Sequence, residues 1–155
     1  MMPMQMDGAR KKMTARLVDS LYTEAMLLAD EARSYFDELG RPERDALGPM
    51  ERVAFSCESL KVTTRLMHVI AWLLTRKGIA AGEIGEEEAS ADSRRVGEAA
   101  DSDPAAIAAM PAGARAIVEA SIDLYARVAR IDRDMVDPEP DSPALGLLRR
   151  IERAL

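Results

Sequence analysis

The side chains that could do chemistry are few: the chain has one histidine, His68, and one cysteine, Cys57. A histidine without a second His or Cys in register is a poor metal site. A phosphotransfer bundle would present its histidine on an exposed helix face, with Lys and Gly three and four positions on. Here those positions hold Ala71 and Trp72. All-α nucleotide pyrophosphohydrolases hold magnesium between carboxylates one turn apart on two facing helices, because the ion needs converging oxygens in octahedral array. Glu83 and Glu86 have that spacing but border an acidic linker, and Glu119 with Asp123 lacks a matching pair on either preceding helix. No glycine loop for phosphate, nucleophile elbow or kinase signature is present. These residues read as a non-enzyme without metal or cofactor, with the magnesium pyrophosphohydrolase and the histidine phosphotransfer protein as alternatives. Cys57 lies in an apolar stripe, where it reads as a small buried hydrophobe in a reducing compartment.

The element that must position most of these groups is the stretch from Met50 to Lys77, which has the pattern of one long helix with two opposed apolar stripes. The first stripe is Val53, Cys57, Leu60, Thr64, Met67, Ala71 and Leu74, in alternating steps of four and three. The second is Phe55, Val62, Leu66, Val69 and Leu73. At 3.6 residues per turn the two lie on nearly opposite sides of the cylinder. The expectation is that the first packs in the chain's own bundle and that the second is covered by a sister subunit, making those five residues the candidate dimer interface. A rival cover is the C-terminal segment folding back through Leu145, Leu148 and Ile151. Between the two apolar stripes, following Glu51, runs a charged strip of Glu58, Lys61, Arg65 and Arg76, with Trp72 among them. Glu58 and Arg65 are too far apart to pair along one helix, so each calls for a partner elsewhere. Trp and Arg dominate interface hot spots, which makes the strip a candidate for partner binding as well as a solvated face.

Around this helix the pattern predicts an all-α, antiparallel three-helix bundle with a short C-terminal helix. Residues 1–13 read as a flexible tail. A first helix over 14–39 carries Val18, Leu21, Ala25, Leu28, Ala32, Tyr35 and Leu39 on one stripe. The second covers 49–77, opened by Pro49 and closed at Gly78 as its C′ residue. The third covers 111–136, ended by Asp137, Pro138 and Pro140. Residues 137–155 hold a further short amphipathic helix. Between the second and third helices, residues 82–104 read as a mobile acidic linker, with eight acids and two arginines from Glu83 to Asp103.

The net charge of −6 therefore resides in that linker, and the rest of the chain is formally neutral. A nucleic-acid footprint would want a basic face, so nucleic acid is not an expected partner. No window approaches the roughly 18 continuous apolar residues of a spanning helix, and the N-terminus lacks the apolar run of a signal peptide. Cytoplasmic location is the expectation.

Two segments bear a family resemblance. LYTEAMLLADEARSYF (Leu21 to Phe36) and ESLKVTTRLMHVIAWLLTRK (Glu58 to Lys77), followed by Gly82-Glu83-Ile84, resemble the RcdA family, the regulators of CtrA degradation in Alphaproteobacteria. LYARVARID (Leu124 to Asp132) matches loosely, and the linker and termini do not. The resemblance implies a dimerising three-helix bundle with no enzymatic activity, acting as an adaptor for the ClpXP protease. Its implied partners are ClpX, a priming response regulator and substrate proteins such as CtrA, and its implied location includes recruitment to the cell pole.

Overall fold

In a computed structural model, residues 2–85, 87, 95–136, 150, 151, 153 and 154 are described. Three long helices form the bundle: α1 (Met2–Ser34), α3 (Pro49–Ala80) and α5 (Ala112–Val136). Two single-turn helices, α2 (Arg41–Asp45) and α4 (Pro104–Ala108), sit in the connections. Among the described residues there is no strand. The short helix expected near the C-terminus lies largely outside the described residues.

Helix α1 begins at Met2, well ahead of the expected start at Thr14. Pro3 stands in the first turn, where proline is tolerated, and residues 4–13 are mostly Met, Gln, Lys, Arg and Ala, helix formers that carry the helix through Gly8. At its other end α1 passes into a π-helical turn, Tyr35–Leu39, closed by the Gly40 N–H donating to the Tyr35 carbonyl at 2.6 Å. The wider turn rotates the register. Leu39 consequently leaves the apolar face and is exposed, although the uninterrupted heptad placed it inside.

Helix α3 continues past Gly78, the expected terminus, to Ala80. The left-handed residue is Gly82, at φ +77°, and the turn is closed by the Gly82 and Glu83 N–H groups on the carbonyls of Ile79 and Gly78. Gly78 is needed for another reason: a Cβ there would lie 2.8 Å from the Ile84 side chain.

Directions follow from the contacts. The Lys77 ammonium meets Asp19 and lies over the Tyr22 ring, while Phe36 packs on Phe55, so α1 and α3 run antiparallel. Arg127 pairs with Glu24 near one end of α5, and Gly113 lies against Tyr35 near the other, so α1 and α5 are also antiparallel. Arg65 reaches Ser121, and Trp72 reaches Asp132. Helices α3 and α5 therefore run parallel to each other, and the chain between them must travel back along the bundle. That return is what makes the linker structural.

The core is formed by Val18, Leu21, Ala25, Leu28 and Ala32 of α1, by Ile117, Val118, Leu124 and Val128 of α5, and by one face of α3. That face corrects the expected assignment of stripes. Phe55, Val62, Leu66, Val69 and Leu73 are buried within the single chain, Val69 and Leu73 completely, so they are not available as a dimer interface. The opposed stripe is the exposed one: Val53, Leu60, Met67 and Leu74 face outward, with Leu60 68% and Met67 63% exposed. Cys57, expected in the core, is exposed among them. The reason lies in the neighbours of the second stripe. Glu58, Arg65 and Trp72 stand beside it and are buried with it, and together they make an arc wide enough to meet both α1 and α5. The first stripe, diluted by Thr64 and Ala71, lies on the side of α3 turned away from α1 and α5.

Candidate functional site

The charged strip of α3 is a seam inside the molecule. Along the groove between α3 and α5 lies an extended segment, residues 95–103, which we call the strap. It runs antiparallel to both helices, passing Asp132 and Trp72 first and Glu58 last. The described part of the expected mobile linker is thus held at nearly every step.

At the first end, Asp132 is 1% exposed, and its carboxylate accepts three hydrogen bonds. The Trp72 indole N–H donates at 3.0 Å, Arg95 Nε at 2.8 Å and the Val96 backbone N–H at 3.1 Å. A buried carboxylate is tolerable when its oxygens are occupied in this way. Arg76 lies over the Trp72 ring, 5.2 Å from its centroid, and its Nε is buried without a hydrogen-bond partner. Burial lowers the Arg76 pKa, opposed by the Asp132 charge.

One step on, the Tyr125 hydroxyl donates to the Gly97 carbonyl at 2.6 Å. Burial raises the Tyr125 pKa, which keeps the phenol a donor. Gly97 rests on the imidazole of His68, where a Cβ would lie 2.6 Å from Nδ1, so only glycine fits there. His68 is half-buried beneath the strap, and its Nδ1 is buried without a hydrogen-bond partner. This is far from the exposed phospho-accepting histidine of a phosphotransfer bundle.

At the far end Arg65, buried in α3, donates to the Ala100 carbonyl at 3.0 Å, to Ser102 Oγ at 2.6 Å and to Ser121 Oγ at 3.3 Å. Desolvation lowers its pKa, while the nearby Glu58 and Asp101 raise it. The Ser102 hydroxyl donates to Glu58, and Lys61 joins Glu58 at 3.1 Å and the Asp101 carbonyl at 3.0 Å. Asp103 then caps α4, its side chain accepting from the Ala105 N–H. Of the strip's five members, Glu58, Lys61 and Arg65 grip the strap directly, and Trp72 and Arg76 support it through Asp132.

Sequence reasoning missed Asp132 and Ser121 as partners of the strip, and Tyr125 as a partner of the strap. Asp132 interrupts the apolar spacing of α5 one turn after Val128, and a carboxylate in a core stripe was the available signal. Of the carboxylates considered for magnesium, Asp123 is bound to Arg127 at 2.9 Å, and Glu86 lies outside the described residues. Among the described residues no three His, Cys, Asp or Glu side chains are grouped to hold a metal ion, and no helix is long and apolar enough to cross a membrane.

The architecture defines an all-α bundle in which two parallel helices grip an extended return segment through buried polar side chains. The chain belongs to the family described as "Protein of unknown function (DUF1465)", matched over residues 9–155. It is similar to a solved structure, RcdA from Caulobacter crescentus CB15, at 33% identity over 77% of this chain and 90% of that one, with a TM-score of 0.64. The chain is thus RcdA-like. Comparison with curated proteins gives no match.

Proposed function

We propose that this chain is a cytoplasmic, non-enzymatic adaptor that helps deliver cell-cycle regulators such as CtrA to the ClpXP protease. The observation that carries the reading is the 33% identity to RcdA across nine-tenths of that chain. On this reading the protein docks on ClpX together with a priming response regulator and holds a substrate beside the unfoldase. Holding cargo raises the effective concentration of its degradation signal and needs no reacting group in the adaptor.

The second element of the proposal is a homodimer formed through the exposed stripe of α3. Val53, Leu60, Met67 and Leu74 span about 32 Å of one helix face at 1.5 Å per residue. Large apolar residues at heptad spacing on an exposed face are suited to pairing with their own copy, since a two-fold axis brings like against like.

Reconstituted ClpXP tests the reading, with the priming regulator and CtrA, in the presence and absence of this protein. Faster degradation only when all components are present is the expected result. Equal rates across several cargoes would remove the adaptor role. Nucleotide hydrolysis with magnesium, or phosphate transfer to His68 from a phosphorylated receiver domain, would favour one of the two alternatives instead.

A further inference from the structure

We propose that the groove between α3 and α5 is a docking site for an extended acidic peptide of a protein partner, and that the strap is the occupant it holds in its absence. The groove addresses mainly backbone. Tyr125 binds the carbonyl of residue 97, Arg65 that of residue 100 and Lys61 that of residue 101, while Asp132 accepts from the N–H of residue 96. Contacts of this kind fix an extended conformation without fixing most side chains, so another peptide of the same shape can make them. Three positions are recognised beyond the backbone: the arginine at 95 by the Asp132 carboxylate, the glycine at 97 by its fit over His68, and the serine at 102 between Glu58 and Arg65.

The strap is also an imperfect fit. A cleft of about 590 Å³ lies along it, its lining including Ala99, Ala100, Asp101, Tyr125, Arg130 and Arg133. Alanines at 99 and 100 leave that space open, and neither Arg130 nor Arg133 has a carboxylate partner among the described residues. A peptide with glutamate where Ala99 stands extends a carboxylate into the cleft, toward those guanidinium groups. Apolar anchoring of the strap is slight, with Val96 its one sizeable hydrophobe against the core. Local release is therefore less costly than unfolding of the bundle. The partner's segment then has an arginine two residues before the glycine that lies over His68, a glutamate two residues after that glycine, and a serine three residues beyond. The inference stands on the groove alone and does not depend on which protein is delivered, or to what.

Full-length protein and a fluorescein-labelled peptide of residues 95–104 carrying Ala99→Glu test it. Gly97→Val places a branched side chain against the His68 ring and should lift the strap without touching the groove's own donors. Hydrogen exchange should rise at 96–103 while α3 and α5 stay protected, and the peptide should bind at least about ten-fold tighter than to the unaltered protein, whose groove is mostly filled. Adding Arg130→Glu and Arg133→Glu should abolish that gain. Ser102→Asp, which sets a second carboxylate against Glu58, is the parallel variant should Gly97→Val fail to fold. A lifted strap with no peptide binding overturns the proposal. So does a strap whose amides, in every folded variant, exchange only with the core of α3.

Discussion

The two faces of α3 have nearly the same periodicity and opposite fates. On one, Phe55, Val62, Leu66, Val69 and Leu73 are sealed between α1 and α5; on the other, Val53, Leu60, Met67 and Leu74 remain exposed. Apolar spacing alone does not separate them, because each supplies residues every three or four positions along the helix. The difference lies in what stands alongside. The buried face is bordered by Glu58, Arg65 and Trp72, groups that bury favourably only when another element supplies hydrogen bonds. A polar border beside an apolar stripe therefore marked the side on which the chain returns over its own helices.

The strongest way to break this comparison is to truncate one residue on the buried face. Leu73→Ala leaves a cavity where Leu73 meets no solvent, and we expect a loss of about 3–4 kcal/mol in urea unfolding. A loss below about 1 kcal/mol would mean that this face is not the core. Asp132→Ala comes next. It strips the partner from the Trp72 indole and the Val96 N–H and releases Arg95, and we expect a loss of about 3 kcal/mol, together with faster exchange across 95–97. If exchange there stays slow, the strap is held chiefly by its far end.

Much of the bundle was legible beforehand. The all-α class and the long helix around Met50 to Lys77 follow from heptad spacing and from Pro49 at the helix start. Two features were not legible, and a third only in part, each for a physical reason. The π turn at Tyr35–Leu39 depends on tertiary packing of Tyr35, Phe36 and Phe55, whose ring centroids lie 5.1 to 6.3 Å apart, and no local pattern announces it. The strap is short of large apolar residues and rich in acids, the composition of a solvated linker, and its order comes from Arg65, Tyr125 and Asp132 far away in sequence. The seam was half legible. Glu58 and Arg65 were seen to need partners off their own turn, but pairing them with Ser102 and Ser121 requires knowing that α3 and α5 are parallel.

A smaller effect sharpens the picture of the seam. Tyr125→Phe removes the hydroxyl that holds the Gly97 carbonyl and keeps the ring in place. The expected loss is about 1 kcal/mol, the net worth of one hydrogen bond, and exchange should rise at 97 and 98 more than at 101 and 102. A uniform rise along the strap would show that it opens as one unit.

The smallest effect on the fold should come from the exposed face, and there the size of the change is itself informative. Leu60 is 68% exposed, so Leu60→Ala removes little buried area, and at low protein concentration stability should shift by less than about 0.5 kcal/mol. At high concentration the outcome separates two situations. If the stripe pairs with a second copy, unaltered protein gains stability with concentration by mass action and the variant gains less. Leu60→Glu with Met67→Glu should then halve the mass in solution while helix content is unchanged, because a like charge on each copy faces its twin across the two-fold axis. If instead Leu60→Ala costs nearly as much as Leu73→Ala even in dilute solution, the stripe is covered within the single chain. The two faces of α3 would then be alike in fate as well as in spacing.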